Sequence, residues 1–345
     1  MPELQAVQTN ELYIESRGLD TEKLLQEILP RLKEQAGQSE SEPQSSRSNQ
    51  LELSAAAGAR NSAEANLPGL EIVLGASGAE APAHAGFLQA LEDKQVPVGR
   101  ITGVSGGSLV AALYANHYSP AQIKDILMSN EFRYPKPYVL AQCLHLSDPW
   151  NLYPYAFDFR PWIKDFVETY NLRPQPNLRI VAADKESKTP VIFEGVNYDL
   201  VTALTASTAA TIGMNMKPVD YQGRKLIDGF YYHPIPAQLS TAPAIVSKVG
   251  FVSKFPKEFL NPWDSYMHLR EMAYYDIFSK KYPDPPGHII AKTGLDDVAT
   301  TTFGISKATM ERLVRHGYES TIERLSQADA LQAIEAAKKN RVGKN

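Results

Sequence analysis

Short apolar runs alternate with helical stretches along most of this 345-residue sequence, and this alternation constrains the fold more than any other feature. Helices are predicted at 84–94 and 106–113, and a third begins at Ser119-Pro120, because Ser is a favoured cap and Pro a favoured first helical residue. Strands are predicted at 71–74, 98–104, 178–183, 191–194, 225–227 and 244–251. The pattern predicts a three-layer α/β/α domain with a mainly parallel sheet.

The first 67 residues differ from the rest in composition. One amphipathic helix is predicted at 21–36, and 37–67 is rich in Ser, Glu, Gln, Asn and Ala, which is typical of a flexible linker. We therefore divide the chain into an N-terminal helical segment (1–36), a linker (37–67), the α/β domain (68–325) and a C-terminal helical tail (326–345). The N-terminal helix either packs back on the domain or docks on a membrane or partner.

Charge and cysteine content exclude several classes of protein. The net charge is −4, so there is no cationic excess to neutralise phosphates, and no nucleic-acid partner is expected. The single cysteine, Cys143, excludes an internal disulfide and a cysteine-based zinc cage, and nothing calls for a metal or cofactor. There is no secretion signal and no apolar run of about eighteen residues, so we expect a cytoplasmic protein.

The strongest local motif is Gly103-Val104-Ser105-Gly106-Gly107, which matches G-x-S-x-G. It follows a predicted strand and precedes a predicted helix. Small residues at Gly103 and Gly107 allow the backbone to turn sharply and leave the Ser105 hydroxyl above the helix N-terminus. There the helix dipole favours developing negative charge. The motif therefore predicts that Ser105 is a nucleophile.

A nucleophilic serine needs amide donors for an oxyanion and a base. The turn after the first strand offers backbone N–H groups, although an ordinary tight turn has the same composition. Its residues are Gly75, Ala76, Ser77 and Gly78. Asp228 ends a short apolar strand and is a candidate base, although Asp-Gly is also a common turn.

A histidine base is the alternative to Asp228. Only one helix and one strand separate Gly75 from Ser105, which does not fit the topology of an α/β-hydrolase triad. A conventional Ser-His-Asp esterase nevertheless stays open. Its candidate bases are His233, His268, His288 and His316.

These motifs together resemble the patatin-like phospholipases, a family of lipid acyl hydrolases. The resemblance covers about 70–325. It runs through LGASGAEAPAHAGFLQAL at 74–91 with His84-Ala85-Gly86-Phe87-Leu88, GVSGGS at 103–108, Ala182-Ala183-Asp184, Asp228-Gly229-Phe230 with Ile235-Pro236, and Leu313–Leu325 with Gly317-Tyr318.

The resemblance implies a Ser105–Asp228 dyad without a catalytic histidine, and an oxyanion hole at residues 75–78. It also implies a phospholipase A or lysophospholipase type of activity on phospholipid or other acyl lipids, through an acyl-enzyme. Asp228 would pass the Ser105 proton to the leaving alcohol, and because a carboxylate is a weak base in water, we expect a dry, apolar pocket. Peripheral membrane contact is a further expectation.

The chain departs from the family pattern in and near the oxyanion motif. Ala76 and Ser77 replace glycines, and a positive φ at either would cost about 1 kcal/mol. Glu80 places an anion where the family has a cation, Phe230 replaces a small residue, and Thr211 stands where a proline is usual. The alternative is therefore a weak or inactive member of the family that binds lipid or a partner.

Aromatic residues form two clusters in the sequence. The first either covers an acyl pocket or packs a long connection: Phe132, Tyr134, Tyr138, Trp150, Tyr153, Tyr155, Phe157, Phe159 and Trp162. The second either meets a membrane or belongs to an ordinary amphipathic helix. Its members are Phe255, Phe259, Trp263, Tyr266, Tyr274, Tyr275, Phe278 and Tyr282, beside Lys254, Lys257, Lys280 and Lys281.

Overall fold

The structure is a computed structural model. It describes residues 69–133, 136, 157–210, 216–240, 243–250, 271–272, 283–300 and 305–342. Most of these residues form one compact unit, and 271–272, 283 and 296–300 belong to a second. The predicted N-terminal helix, the linker and the aromatic cluster at 255–282 lie outside the described residues. Among the described helices, none is long and apolar enough to cross a bilayer.

The described residues form eight strands and eight α-helices. The strands are β1 (Leu70–Leu74), β2 (Val98–Val104), β3 (Leu178–Asp184), β4 (Pro190–Glu194), β5 (Val219–Tyr221), β6 (Arg224–Asp228), β7 (Ala244–Lys248) and β8 (Ile289–Lys292). The helices are α1 (Pro82–Asp93), α2 (Gly106–Ala115), α3 (Pro120–Met128), α4 (Asn130–Arg133), α5 (Arg160–Thr169), α6 (Leu200–Thr208), α7 (Lys307–Leu325) and α8 (Ala328–Val342).

The strands form one mixed, mostly parallel sheet in the order β5-β6-β3-β2-β1-β7-β8, with β4 also paired to β3. The central pairs are parallel, whereas β4 and β6 run antiparallel to β3. Strand β1 is apolar on both faces, since Ile72 and Leu74 join the main core and Val73 joins a second cluster. Burial on both faces is characteristic of a central parallel strand. The chain is therefore an α/β fold with helices flanking the sheet.

Two glycines, Gly86 and Gly317, allow α7 to pack closely against α1. A Cβ on Gly86 of α1 would lie 1.9 Å from the Val314 carbonyl oxygen, and a Cβ on Gly317 of α7 would lie 2.2 Å from that of Ala83. Helix backbones can approach this closely only where no side chain intervenes. Helix α7 is thus packed against α1, which follows the first strand of the sheet.

The register of β3 explains how distant residues converge. Strand β2 runs parallel to β3 and ends with Val104 opposite Val181. Strand β6 runs antiparallel to β3 and ends with Asp228 opposite Ala182. The two strands therefore end beside neighbouring residues of β3 after approaching from opposite directions, and this brings Asp228 close to Ser105, the residue after β2.

Candidate active site

Ser105 occupies a sharp turn between β2 and α2. Its backbone has φ +53° and ψ −133°, a conformation that is costly for any residue except glycine. A Cβ on Gly103 would lie 2.6 Å from the Gly107 carbonyl oxygen, and one on Gly107 would lie 2.4 Å from the Gly75 carbonyl oxygen. The close contacts explain why small residues flank the serine. We call residues 103–107 the Ser105 elbow.

The Ser105 side chain contacts a carboxylate 123 positions away in the sequence. Its hydroxyl donates a hydrogen bond of 2.7 Å to Asp228 Oδ2, and the Phe230 amide donates one of 2.8 Å to Oδ1. Asp228 is only 3% exposed. Burial raises the pKa of this carboxyl to about 7, and the two hydrogen bonds oppose that shift. The two residues proposed from sequence as a dyad thus lie within hydrogen-bonding distance.

The C-terminal end of α6 holds both partners in place. The Ser105 amide donates to Ser207 Oγ at 3.0 Å, and the Ser207 hydroxyl donates to the Val181 carbonyl at 2.7 Å. The Asp228 amide donates to the Ala209 carbonyl at 3.0 Å. No role was predicted for Ser207 from the sequence. A hydroxyl there supports the elbow because it both accepts and donates.

The loop of residues 75–78, which we call the glycine loop, lies beside the elbow. The Gly75 amide donates to the Ser247 carbonyl and the Ala76 amide to the Pro234 carbonyl, both at 3.0 Å. Within the described residues, the amides of Ser77 and Gly78 have no acceptor. Two of the four predicted donors are therefore already engaged, and two are not.

Positive φ in this loop falls on Gly78, at +48°. Ser77 has φ −138°, and Ala76 is not among the residues with positive φ. Glycine takes the left-handed conformation without steric cost, so the substitutions at 76 and 77 do not carry the strain that sequence reasoning anticipated. Of the two glycines in the loop, Gly78 is therefore the one whose backbone conformation favours glycine.

A buried histidine fixes the carbonyl side of the glycine loop. His84 Nε2 lies 3.0 Å from the Gly75 carbonyl oxygen, which can only accept, so we assign the proton to Nε2. Nδ1 then accepts from Ser247 Oγ at 2.7 Å, and Ser247 accepts from Thr293 Oγ1 at 2.8 Å. Burial lowers the His84 pKa to about 4, so the ring is neutral at pH 7. Sequence reasoning quoted His84 in a motif without this role.

Glu80, the anion at the family's cationic position, is fully buried. Its Oε2 accepts from the Leu295 amide at 2.8 Å, and a Cβ on Gly294 would lie 3.0 Å from the same oxygen. This hydrogen bond joins residues that are 215 positions apart, so it links the turn before α1 to the segment after β8. This contact gives Glu80 a structural function.

Two of the candidate histidines, His233 and His288, have hydrogen-bond partners other than Ser105. His233 Nδ1 lies 3.0 Å from Gln238 Nε2, and His288 Nδ1 accepts from the Ala244 amide where β7 begins. His316 lies on α7, and His268 is outside the described residues. In the part of the chain that is described, Ser105 Oγ donates to Asp228 and to no imidazole.

Part of the first aromatic cluster packs as ordinary core. Trp162 stacks on Phe159 and Phe166 with ring centroids 4.6 and 5.6 Å apart, and Phe132 meets it edge-on at 5.2 Å. The cluster residues at 134–155 lie outside the described residues, so their predicted lid role stays a prediction.

Residues 72–240 match the model of one protein family, described as patatin-like phospholipase. Human patatin-like phospholipase domain-containing protein 6 is 38% identical over 80 residues, which cover 23% of this chain and 6% of that protein. Lysophospholipase NTE1 of Candida glabrata is 49% identical over 47 residues, which cover 14% and 3%. Uncharacterized protein YqhO of Bacillus subtilis is 26% identical over 198 residues, which cover 53% and 64%. The chain therefore aligns with only a small part of the two named phospholipases.

Two solved structures have partly similar folds. VipD from Legionella pneumophila has a TM-score of 0.44 and 13% identity, covering 78% of this chain and 67% of that one. Human GIVD cytosolic phospholipase A2 has a TM-score of 0.42 and 12% identity, covering 94% and 65%.

The residues matched by the family model include the Ser105 elbow, the glycine loop from Gly75 and Asp228. They also include the three strands, β2, β3 and β6, whose register brings Ser105 and Asp228 together. Residues 72–240, which carry the Ser105 elbow, the glycine loop and Asp228, therefore match the patatin-like phospholipase family.

Proposed function

We propose that this protein is a lipid acyl hydrolase that cleaves carboxylic esters of phospholipid, lysophospholipid or related acyl lipids through a Ser105–Asp228 dyad. The observation that carries the proposal is the 2.7 Å hydrogen bond from the Ser105 hydroxyl to Asp228, at a strained turn before a helix. The match of residues 72–240 to the patatin-like phospholipase model supports the lipid substrate class.

The proposed reaction has two halves, and Asp228 moves the proton in each. Ser105 Oγ attacks the ester carbonyl carbon while its proton passes to Asp228 Oδ2. The tetrahedral intermediate then expels the alcohol, which takes that proton, and leaves an acyl group on Ser105. Water attacks the acyl-enzyme, gives a proton to Asp228, and the fatty acid leaves as Ser105 recovers the proton. The cycle needs no metal ion, because alcohol and base come from the chain.

The amides of Ser77, Gly78 and Gly106 are the proposed donors to the oxyanion. Gly106 is the residue after the nucleophile and the first of α2, where backbone N–H groups have no partner within the helix. A Cβ on Gly106 would lie 3.0 Å from the Gly78 amide nitrogen, so the two amides are close neighbours. The engaged amides of Gly75 and Ala76 serve to position this loop.

A fluorophosphonate probe and a nitrophenyl ester test the proposal together. We expect the wild type to be labelled and to hydrolyse 4-nitrophenyl butyrate and lysophosphatidylcholine with EDTA present. Ser105→Ala should abolish labelling and turnover, and Asp228→Asn should lower turnover by at least about a thousandfold. Ser187→Ala, an exposed serine in the turn after β3, is the matched control.

Two outcomes would contradict the proposal. Labelling that persists in Ser105→Ala would place the nucleophile elsewhere. A folded wild type that is neither labelled nor active on lipid would indicate a member of the family that only binds lipid or a partner.

A further inference from the structure

The Ser77 side chain is a buried polar group that the proposed reaction has not used. Ser77 is 1% exposed, and within the described residues its hydroxyl has no hydrogen-bond partner. It precedes the short 3-10 turn at Gly78–Glu80 but does not cap it. A buried hydroxyl without a partner costs about 1–3 kcal/mol, so one that lies beside a candidate nucleophile calls for an explanation.

This hydroxyl lies against the first residue of α2. A Cβ on Gly106 would be 2.6 Å from Ser77 Oγ, closer than it would be to the Gly78 amide. Gly106 follows Ser105 directly, and α2 has ten residues, so its N-terminus carries the positive end of a helix dipole. A hydroxyl, an amide from the glycine loop and a helix N-terminus thus meet beside the nucleophile.

We propose that the Ser77 hydroxyl is a catalytic side-chain donor that hydrogen-bonds the oxyanion formed when Ser105 attacks an ester. The inference rests on the proposed function and adds the side chain of Ser77 to the backbone amides that bind the oxyanion. Two of the four predicted loop amides already bind carbonyls, so a hydroxyl supplies a donor that the loop would otherwise lack. A donor with no ground-state partner needs no bond broken before it binds the developing charge.

Ser77→Ala removes the hydroxyl and leaves the backbone amide. We expect kcat on 4-nitrophenyl butyrate to fall roughly tenfold to a hundredfold with KM unchanged, because an oxyanion donor acts on the transition state. The rate constant for fluorophosphonate labelling of Ser105 should fall in parallel. The melting temperature should stay equal or rise by a few degrees, since an unpartnered buried hydroxyl has been removed. Ser77→Gly should give the same loss of kcat.

Ser240→Ala is the matched control. Ser240 also has a buried hydroxyl with no partner among the described residues, but it lies beyond the turn at Pro236–Leu239. We expect this variant to gain or keep stability and to keep its kcat. The pair therefore separates a loss of oxyanion binding from the general effect of deleting a buried hydroxyl.

The possible failures are distinguishable. If Ser105→Ala is inactive but Ser77→Ala keeps wild-type kcat and labelling rate, the role of the hydroxyl is overturned and the dyad stands. If Ser77→Ala raises KM or unfolds at lower temperature with kcat unchanged, the hydroxyl only packs the loop. If the wild type has no esterase activity, both proposals fall.

Discussion

The carboxylate of Asp228 is almost fully buried, yet its Oδ2 accepts a hydrogen bond of 2.7 Å from the Ser105 hydroxyl. Burial penalises the charged form more than the two hydrogen bonds favour it, so its pKa is raised from 3.8 to about 7. A carboxyl with this pKa is a stronger base than an exposed one and is still partly ionised at neutral pH. The same burial that would support the proposed proton transfer also makes the ionised form costly for the fold.

The first prediction is that hydrolysis depends on one ionisation near pH 7. Ionised Asp228 accepts the Ser105 proton, so kcat/KM on 4-nitrophenyl butyrate should rise about tenfold per unit between pH 5 and 6.5 and level off above pH 8. Rates with Ser105→Ala give the background at each pH. A profile that is flat from pH 5 to 8 would contradict the role of Asp228. The midpoint of the pH profile should be unchanged in His233→Gln. This control distinguishes ionisation of the Asp228 carboxyl from ionisation of the His233 imidazole.

The second prediction concerns stability. A carboxyl with a raised native pKa binds a proton in the folded state between about pH 4 and 7 that the unfolded chain releases, so its contribution to stability is lost as pH rises through 7. Asp228→Asn cannot ionise and escapes this loss. Its melting temperature should exceed that of the wild type at pH 8, with the difference shrinking towards pH 4. Asp125→Asn, at an exposed site on α3, should show no such trend.

The third prediction tests the support that α6 gives the elbow. Ser207→Ala removes the acceptor of the Ser105 amide and a donor to the Val181 carbonyl, which should cost about 1–3 kcal/mol of unfolding free energy. The strained Ser105 backbone would then relax, and kcat should fall roughly tenfold while KM changes little. Urea denaturation and ester kinetics measure the two effects. Equal kcat in Ser207→Ala and the exposed-site variant Ser187→Ala would indicate that the hydroxyl does not position the nucleophile.

Much of the fold followed from the sequence because parallel strands here are apolar and bounded by turns. The predicted strands at 71–74 and 98–104 correspond to β1 and β2, and the cap Ser119 begins α3, where its hydroxyl accepts from the Gln122 amide. Strand β8 was not predicted: Ile289–Lys292 has only four residues, and its pairing partner β7 lies about 40 positions earlier. Local pattern carries no information about such pairing.

Part of the candidate site could likewise be predicted from the sequence, and part could not. Ser105 and Asp228 could be proposed from the sequence because each lies where a strand ends and a turn of recognisable composition begins. The hydrogen bonds of the glycine loop were not predictable, since they depend on Ser247 and Pro234, which approach Gly75 and Ala76 only in the folded chain. Nor could the sequence tell that Gly78 takes the positive φ and that Ser77 keeps its hydroxyl unpartnered.

The last prediction concerns the crossing of α1 and α7. Within a helix, Gly→Ala normally raises the unfolding free energy by about 1 kcal/mol. A decrease at Gly86 or Gly317 would therefore show that the added Cβ disturbs the packing of the two helices. A Cβ at these positions would lie 1.9 and 2.2 Å from carbonyl oxygens of the other helix, and backbone cannot rotate away as a side chain can. Each substitution should therefore lower the unfolding free energy by at least about 2 kcal/mol, in urea denaturation with an unchanged slope.

Gly250→Ala is the control for both, because among the described residues no atom beyond its chain neighbours lies within 4 Å of the added Cβ. It should change the unfolding free energy by less than about 0.5 kcal/mol. If Gly317→Ala were as stable as Gly250→Ala, α7 would not lie against α1 and would be dispensable for the domain. If Gly317→Ala is strongly destabilised, then α7, which begins 67 positions after the family match ends at residue 240, belongs to the cooperative unit that holds the site. Deleting residues 307–342 should then abolish folding, whereas deleting 328–342 should not, since α8 follows the crossing.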